Sequence, residues 1–219
     1  MMPRVSDDRI TRGMERQLAD ARRRLDRDER PLGWKLGFGT EAAMQKLGID
    51  APLVGYLSTA DRLESGASVD ISSWGNPKLE PEIVARAGEQ GEITAIGAAI
   101  ELIDLDTSVG EPEEILERNI FQRHVLLGPV TEGASPGDVK LRVAVNGEEV
   151  AASDEVTEAT GDLEGLVKHV AKTLKAAGTE LERGDLVICG SIVPALDIAP
   201  GDTVEVGLDP LGSLTVSFE

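Results

Sequence analysis

Apolar residues recur at spacings of three and four over the first thirty positions, where Ile10, Met14, Leu18, Ala21 and Leu25 form one stripe between charged neighbours. That period predicts an amphipathic helix running to about Glu29, capped by Ser6-Asp7-Asp8 and ended by Pro31 and Gly33. A short strand over residues 34–38 follows, then a short helix over Glu41–Leu47 closed by Gly48, then extended chain over residues 52–57. From residue 68 to 106 the pattern is of strands, at 68–71, 79–85 and along the apolar run 93–105. Leu116, Ile120, His124 and Leu127 share one side of a helix expected over residues 113–127. Asn146-Gly147, between Val143-Ala144-Val145 and Glu149-Val150-Ala151, is a hairpin signal because both residues tolerate positive φ. Leu163, Leu166, Val167, Val170 and Leu174 mark a second amphipathic helix, and strands at 186–193, 204–206 and 214–218 complete the chain. Strands and helices mingle without regular βαβ alternation. The expected class is therefore α+β, with a mixed, largely antiparallel sheet flanked by helices.

A length of 219 residues fits one domain, here expected as an N-terminal helix over 1–30 packed on or extending a single domain over 31–219. No uncharged apolar run approaches the ~20 residues of a membrane helix, and the Met-Met-Pro-Arg start lacks a signal-peptide core, which implies a cytoplasmic protein with no membrane partner. The single cysteine, Cys189, lies among apolar residues and reads as a buried thiol. With only His124 and His169 besides, Cys- or His-rich zinc sites are excluded. The net charge of −18 makes nucleic acid an unsuitable partner. That charge is uneven: residues 1–30 hold nine Arg against seven Asp/Glu, so the remaining 189 carry −20. The Arg-rich segment reads as a solvated helix of mixed charge, or as a helix lying on an acidic surface of its own domain or of another subunit.

Glu80-Pro81-Glu82 is the first candidate for chemistry. In a strand, residues i and i+2 share a face, so the two carboxylates converge and suit a hard cation; a solvated acidic turn is the alternative. Pro81 cannot donate to a ladder, which places the segment at an edge or a bulge. Glu101 interrupts the apolar run 96–103, where an unpaired carboxylate would cost several kcal/mol, and either a metal ion or a lysine would resolve the conflict. Lys35, between Gly33-Trp34 and Leu36-Gly37, is a half-buried cation, structural or functional. Gly190-Ser191 follows an apolar strand, so its hydroxyl and N–H groups either face a site or form a turn. His169 reads as a surface or interface histidine and His124 as a core-edge one.

In order along the chain these pieces resemble the 2-keto-4-pentenoate hydratase and 4-oxalocrotonate decarboxylase group of the fumarylacetoacetate hydrolase superfamily. Gly33-Trp34-Lys35-Leu36-Gly37 resembles that group's Gly-x-Lys-Ile-Gly, and Met44-Gln45, Leu47-Gly48-Ile49, Pro52 and Gly55 its downstream positions. Glu80-Pro81-Glu82-Ile83 resembles its metal motif, and Ile100-Glu101-Leu102-Ile103-Asp104 its Leu-Glu-Ile-Val-Asp. Asn119 with 125–128 resembles a helix ending in Val-Leu-Gly. Gly190-Ser191, Pro200-Gly201-Asp202 and Leu211-Gly212-Ser213 resemble its C-terminal strands.

The resemblance implies a β-roll or barrel with surrounding helices, assembled as a homo-oligomer of two or more subunits. It implies Mg²⁺ or Mn²⁺ on Glu80, Glu82 and Glu101, a catalytic and substrate-binding Lys35, and a substrate contact at Ser191. The implied activity is that of a lyase acting on a short 2-keto-enoic acid through a metal-chelated enolate, of the hydratase type. Decarboxylation, hydrolytic C–C cleavage and a non-catalytic partner subunit are the alternatives. Leu53 stands where hydratases of the group carry Asp, a plausible acid/base, and Asp50 is not a clean substitute. Asp104-Leu105-Asp106 replaces Asp-Ser-Arg, and the segments 153–155 and 161–171 also depart from the group's pattern.

Overall fold

The structure, a computed structural model, describes residues 7–25, 29–89, 91–106 and 110–219. Helix α1 (Asp8–Leu25) precedes β1 (Pro31–Gly37), α2 (Glu41–Leu47), β2 (Leu53–Ser58), β3 (Arg62–Leu63) and β4 (Ala67–Val69). The long strands β5 (Pro77–Ala87) and β6 (Ile93–Asp104) come next, followed by α3 (Pro112–Glu117), β7 (Gln122–Glu132), β8 (Lys140–Val145) and β9 (Glu148–Ser153). The chain ends with α4 (Val156–Thr160), α5 (Leu163–Ala176), β10 (Leu186–Ser191), β11 (Leu196–Asp197), β12 (Thr203–Asp209) and β13 (Gly212–Phe218). No described helix is long and apolar enough to cross a membrane.

One curled sheet has the order β2-β1-β10-β5-β6-β7-β3 with β11 also on β5; a second has the order β4-β13-β12-β8-β9. Among the described residues only β1/β10, β3/β7 and β4/β13 pair in parallel, so the mixed, largely antiparallel α+β expectation agrees with the structure. The spine is the β5/β6 hairpin, in which Pro77 to Ala87 pairs with Asp104 to Ile93. Both strands are covered on both faces. The outward face of β5 puts Leu79, Ile83 and Ala85 into the main core, and the other puts Val84 into a smaller cluster with Leu57, Ala99, Val125, Leu127 and Ile188. This double burial explains why 93–105 reads as a continuous apolar run.

Several local expectations agree in detail. Helix α2 occupies Glu41–Leu47, with Thr40 capping the Ala43 N–H at 3.2 Å and Gly48 in the left-handed region. The β8/β9 hairpin turns at Asn146 and Gly147, both with positive φ. The helix expected over 113–127 is wrong beyond its first turn. Helix α3 ends at Glu117, Asn119, Ile120 and Phe121 all take left-handed φ values, and the chain leaves as β7, paired with β6. Leu116, Ile120, His124 and Leu127 fit a helical period by coincidence; the aromatic and β-branched content of 121–131 and the open edge of β6 decide for a strand. His124 therefore lies on a strand, its ring stacked on Trp74 at 6.0 Å, and the expected helix ending at 125–128 is corrected with it. Pro81 is also not at an edge: β5 is interior, and the irregularity falls on its neighbour β10, between Ile188 and Ser191.

Helix α1 does not run to Glu29, which is irregular chain; its proposed cap at Ser6 lies outside the described residues. It packs Met14 and Leu18 into the core and lies against α3, where Gln17 donates to the Leu116 carbonyl at 3.0 Å. Its arginines are not simply solvated. Arg9 pairs with Glu111, Arg12 with Glu113, and Arg16 with Glu113 and Glu117, all on or beside α3. Arg24 binds both oxygens of Asp61 at 2.7 and 2.8 Å, Glu29 at 2.8 Å, and the hydroxyls of Tyr56 and Ser58 at 3.1 Å each. Replacing Arg24 by Ala leaves two half-buried carboxylates without this partner and should destabilise the fold by about 2 kcal/mol in chemical denaturation. Arg24→Lys should recover less than half of that, since one ammonium cannot replace a planar fork bridging four groups.

Candidate metal centre and cavity

The site is built from the inner face of the curled sheet. Register places Glu80 directly opposite Glu101 and Glu82 opposite Ala99, while Glu101 also faces Val125 on β7. Two residues apart on β5, Glu80 and Glu82 share the face that Glu101 occupies on β6, and one carboxylate oxygen from each lies within 4.8 Å of the others. Lys35 enters from β1, between Gly55 on one side and Ile188 on the other. Glu82, Glu101 and Lys35 are 0, 1 and 1 % exposed, whereas Glu80 is half-buried and opens into a cavity of about 490 Å³. Below the cluster the small apolar group around Val84 and Ile188 closes the sheet, so only the cavity side admits solvent.

Each charged group is held by a named contact. The Lys35 ammonium is paired with Oε1 of Glu101 and lies 3.3 Å from the Ile120 carbonyl. The Gly190 N–H donates to Oε2 of Glu82 at 2.6 Å; Gly190 has φ +97°, a conformation costly to other residues, and it is this turn of β10 that aims the N–H at the carboxylate. Oε1 of Glu82 and Oε2 of Glu101 are buried with no hydrogen-bond partner. Lysine and metal were alternatives for Glu101; the structure gives one of its oxygens to Lys35 and leaves the other facing the cluster.

Burial, then the neighbouring Glu101 charge, pushes the Glu80 carboxyl up to about 7, with Lys35 opposing. Burial and the carboxylates of Glu101 and Glu80 drive Glu82 well above the usual carboxylate range, and burial raises Glu101 against the pull of Lys35. The Cys189 thiol, buried as expected, is pushed up by burial and by Glu82 and stays protonated.

Ser191 lines the cavity, with its hydroxyl donating to the Val193 carbonyl at 2.6 Å, so the turn uses its proton and leaves its lone pairs to the cavity. His169 is half-buried away from the cluster, its Nε2 2.8 Å from the Pro52 carbonyl. Asp106, in place of the resembled Arg, binds Arg118 at 2.5 Å. Two residues that support Lys35 went unnoticed as such in the sequence. Asn119 grips both the N–H and the carbonyl of Tyr56 at 2.9 Å, and a Cβ at Gly55 would stand 2.8 Å from Asn119 Oδ1 and from Lys35 Cγ. Only glycine leaves room for the lysine stem to pass. The signal available was a glycine directly after an apolar pair, Leu53-Val54, which has no meaning until β1 and β2 are paired.

Residues 106–219, 114 of the chain's 219, match the fumarylacetoacetate hydrolase C-terminal family. The chain belongs to that family. The matched region begins after Glu101, and longer similarities take in the rest. The chain is 27 % identical to a 4-oxalocrotonate decarboxylase of a Pseudomonas species, over 97 % of this chain and 89 % of the relative. It is 24 % identical to a 2-keto-4-pentenoate hydratase of Paraburkholderia xenovorans, over 93 % of this chain and 81 % of that one. Its fold is shared with a 4-oxalocrotonate decarboxylase of Pseudomonas putida solved with magnesium and adipate, at a TM-score of 0.86 and 23 % identity over 94 % of this chain and 85 % of that one.

The raised carboxyls fix the sign of a pH effect. A group whose carboxyl pKa is higher folded than unfolded keeps a proton that the unfolded chain has lost, so its stability contribution is present below about 4.5 and disappears as pH rises through about 7 for Glu80. Metal-free protein should lose melting temperature between pH 5 and 7.5, and Glu80→Gln should flatten that slope in calorimetry. Mg²⁺ should restore stability at pH 7.5 in the parent protein but not in Glu82→Gln.

Proposed function

We propose that this family member is a divalent-metal-dependent lyase acting on a short 2-keto-enoic acid, of the hydratase type. The observation that carries the reading is the pair of buried, partnerless oxygens on Glu82 and Glu101 beside a third carboxylate, with one ammonium to balance three charges. Such an all-oxygen set fits a hard divalent cation, and we assign Glu80, Glu82 and Glu101 as its protein ligands and Mg²⁺ or Mn²⁺ as its identity. When bound, the ion supplies a Lewis acid for the carboxylate and 2-keto oxygens of the substrate.

The remaining work falls to the chain's own groups. Lys35, fixed by Glu101 and the Ile120 carbonyl, holds a proton and a positive charge next to the position where negative charge develops. Gly190 fixes the orientation of Glu82 through its N–H, and Ser191 offers an acceptor at the cavity wall. Among the described residues lining the cavity only Lys35, Glu80 and Cys189 titrate, and Cys189 is too strongly protonated to act as a base. With Glu80 assigned to the metal, whose charge favours the ionised carboxylate, proton transfer in hydration falls to Lys35.

One observation favours decarboxylation as the second reading. Leu53 is 2 % exposed and faces the space under α1 and α5, so no carboxylate at that position activates water in the main cavity. The two reactions separate in one experiment: purified protein with Mg²⁺ is given a panel of 2-keto-enoic acids, and enone absorbance and CO₂ are followed together. Absorbance loss without CO₂ is the expected result, CO₂ release selects the second reading, and no turnover of any substrate sinks both. Lys35→Met should lower the rate by about 100-fold or more, the usual scale of a lost proton donor.

A further inference from the structure

We propose that the far end of this cavity selects 2-keto acids with an uncharged, apolar tail and disfavours those carrying a second carboxylate there. The inference rests on the keto-acid reading above and narrows its substrate class. The cavity has a polar end and an apolar one. Ile103 and Leu105 line it two and four residues beyond Glu101, and at about 3.3 Å per residue that wall extends on the order of 13 Å from the carboxylates. Opposite, the chain leaving β10 adds Ile192 and Val193, while Phe38 and Phe121 meet edge to face at 6.4 Å.

No counter-charge awaits an anion at that end. Among the described lining residues Lys35 is the only cation, and it is paired with Glu101 at the opposite end. Arg118 lies against the Phe121 ring, 4.9 Å from its centroid, but its guanidinium is bound by Asp106. The Thr160 hydroxyl donates to the Val156 carbonyl and so is already used within α4. A tail carboxylate would exchange water for apolar contacts with no ion pair in return. With a divalent ion in place, three carboxylates and Lys35 sum to zero, so the head-group carboxylate already makes the site negative, in a chain of net charge −18.

The test is calorimetric titration of the Mg²⁺-loaded protein at pH 7.5 with unreactive saturated probes of equal length, 2-oxohexanoate and 2-oxohexanedioate, and with oxalate as a probe of the head-group end. The expected result is at least tenfold tighter binding of 2-oxohexanoate. Equal affinities, or tighter binding of the dicarboxylate, overturn the tail assignment while leaving the keto-acid reading intact. Failure of oxalate and both keto acids to bind overturns the keto-acid reading itself. In Leu105→Arg the ratio should shift at least tenfold toward the dicarboxylate, and an unchanged ratio in the folded variant removes Leu105 from the tail end.

Discussion

Glu80 and Glu101 face each other across neighbouring strands with Glu82 beside them, on a sheet face that burial has almost stripped of water. Like charges opposite one another weaken a sheet, and each buried carboxylate adds a desolvation cost. A fold can carry such a cluster only if the strands bearing it are held by something else. Here that is the β5/β6 hairpin, eleven and twelve residues long, with its other face in the main core and neighbours on both sides. The contacts nearest the cluster then answer the same problem in turn. Lys35 neutralises one carboxylate, the Gly190 N–H steadies another, and Gly55 and Asn119 leave the lysine a single path to its partner. What remains unsatisfied is a pair of oxygens and an excess of negative charge, which is the physical description of a cation site.

The same electrostatic theme recurs at the periphery with the sign reversed. The residues after position 30 carry −20, and arginines of α1 meet part of that excess along α3 and at Asp61. Isolated exposed pairs contribute little, so Arg12 and Arg16 act mainly as steering for the helix. Arg24 differs because its partners are half-buried and converge from three segments, tying the end of α1 to the strand that carries Gly55. The helix is thereby linked mechanically to the wall behind Lys35.

How much of this was legible beforehand depended on range. The α2 cap, the Asn146-Gly147 turn and the α5 stripe are local and were read correctly, because propensity and tertiary context agree there. Glu80 and Glu82 converge through strand geometry alone, and the ordered motifs placed Glu101 and Lys35 with them. The helical reading fails over residues 118–127 because a helical spacing of apolar residues competes with an edge of β6 that sequence does not display. The left-handed run at Asn119, Ile120 and Phe121, costly for three non-glycine residues, is what delivers the Ile120 carbonyl to Lys35, and nothing local announces it. Pro81 was assigned correctly to an irregularity but to the wrong strand, since the ladder breaks on β10 and not on β5.

Leu53 is where the likeness to hydratases is weakest, and its placement bears on the reaction. Its neighbour Pro52 lines both the main cavity and the space between α1 and α5, whereas Leu53 lines only the latter. Leu53 is 2 % exposed, and a carboxylate restored there would be buried instead of meeting water in the cavity. Any acid/base work must then come from Lys35, a group already committed to charge balance. Hydration in such a site depends on Lys35, since a cation held by the three glutamates would keep them ionised and occupied as ligands. Decarboxylation needs no activated water, but it requires a tail carboxylate where the described lining residues offer no cation. The apolar tail end thus favours addition of water to a keto acid with one charge.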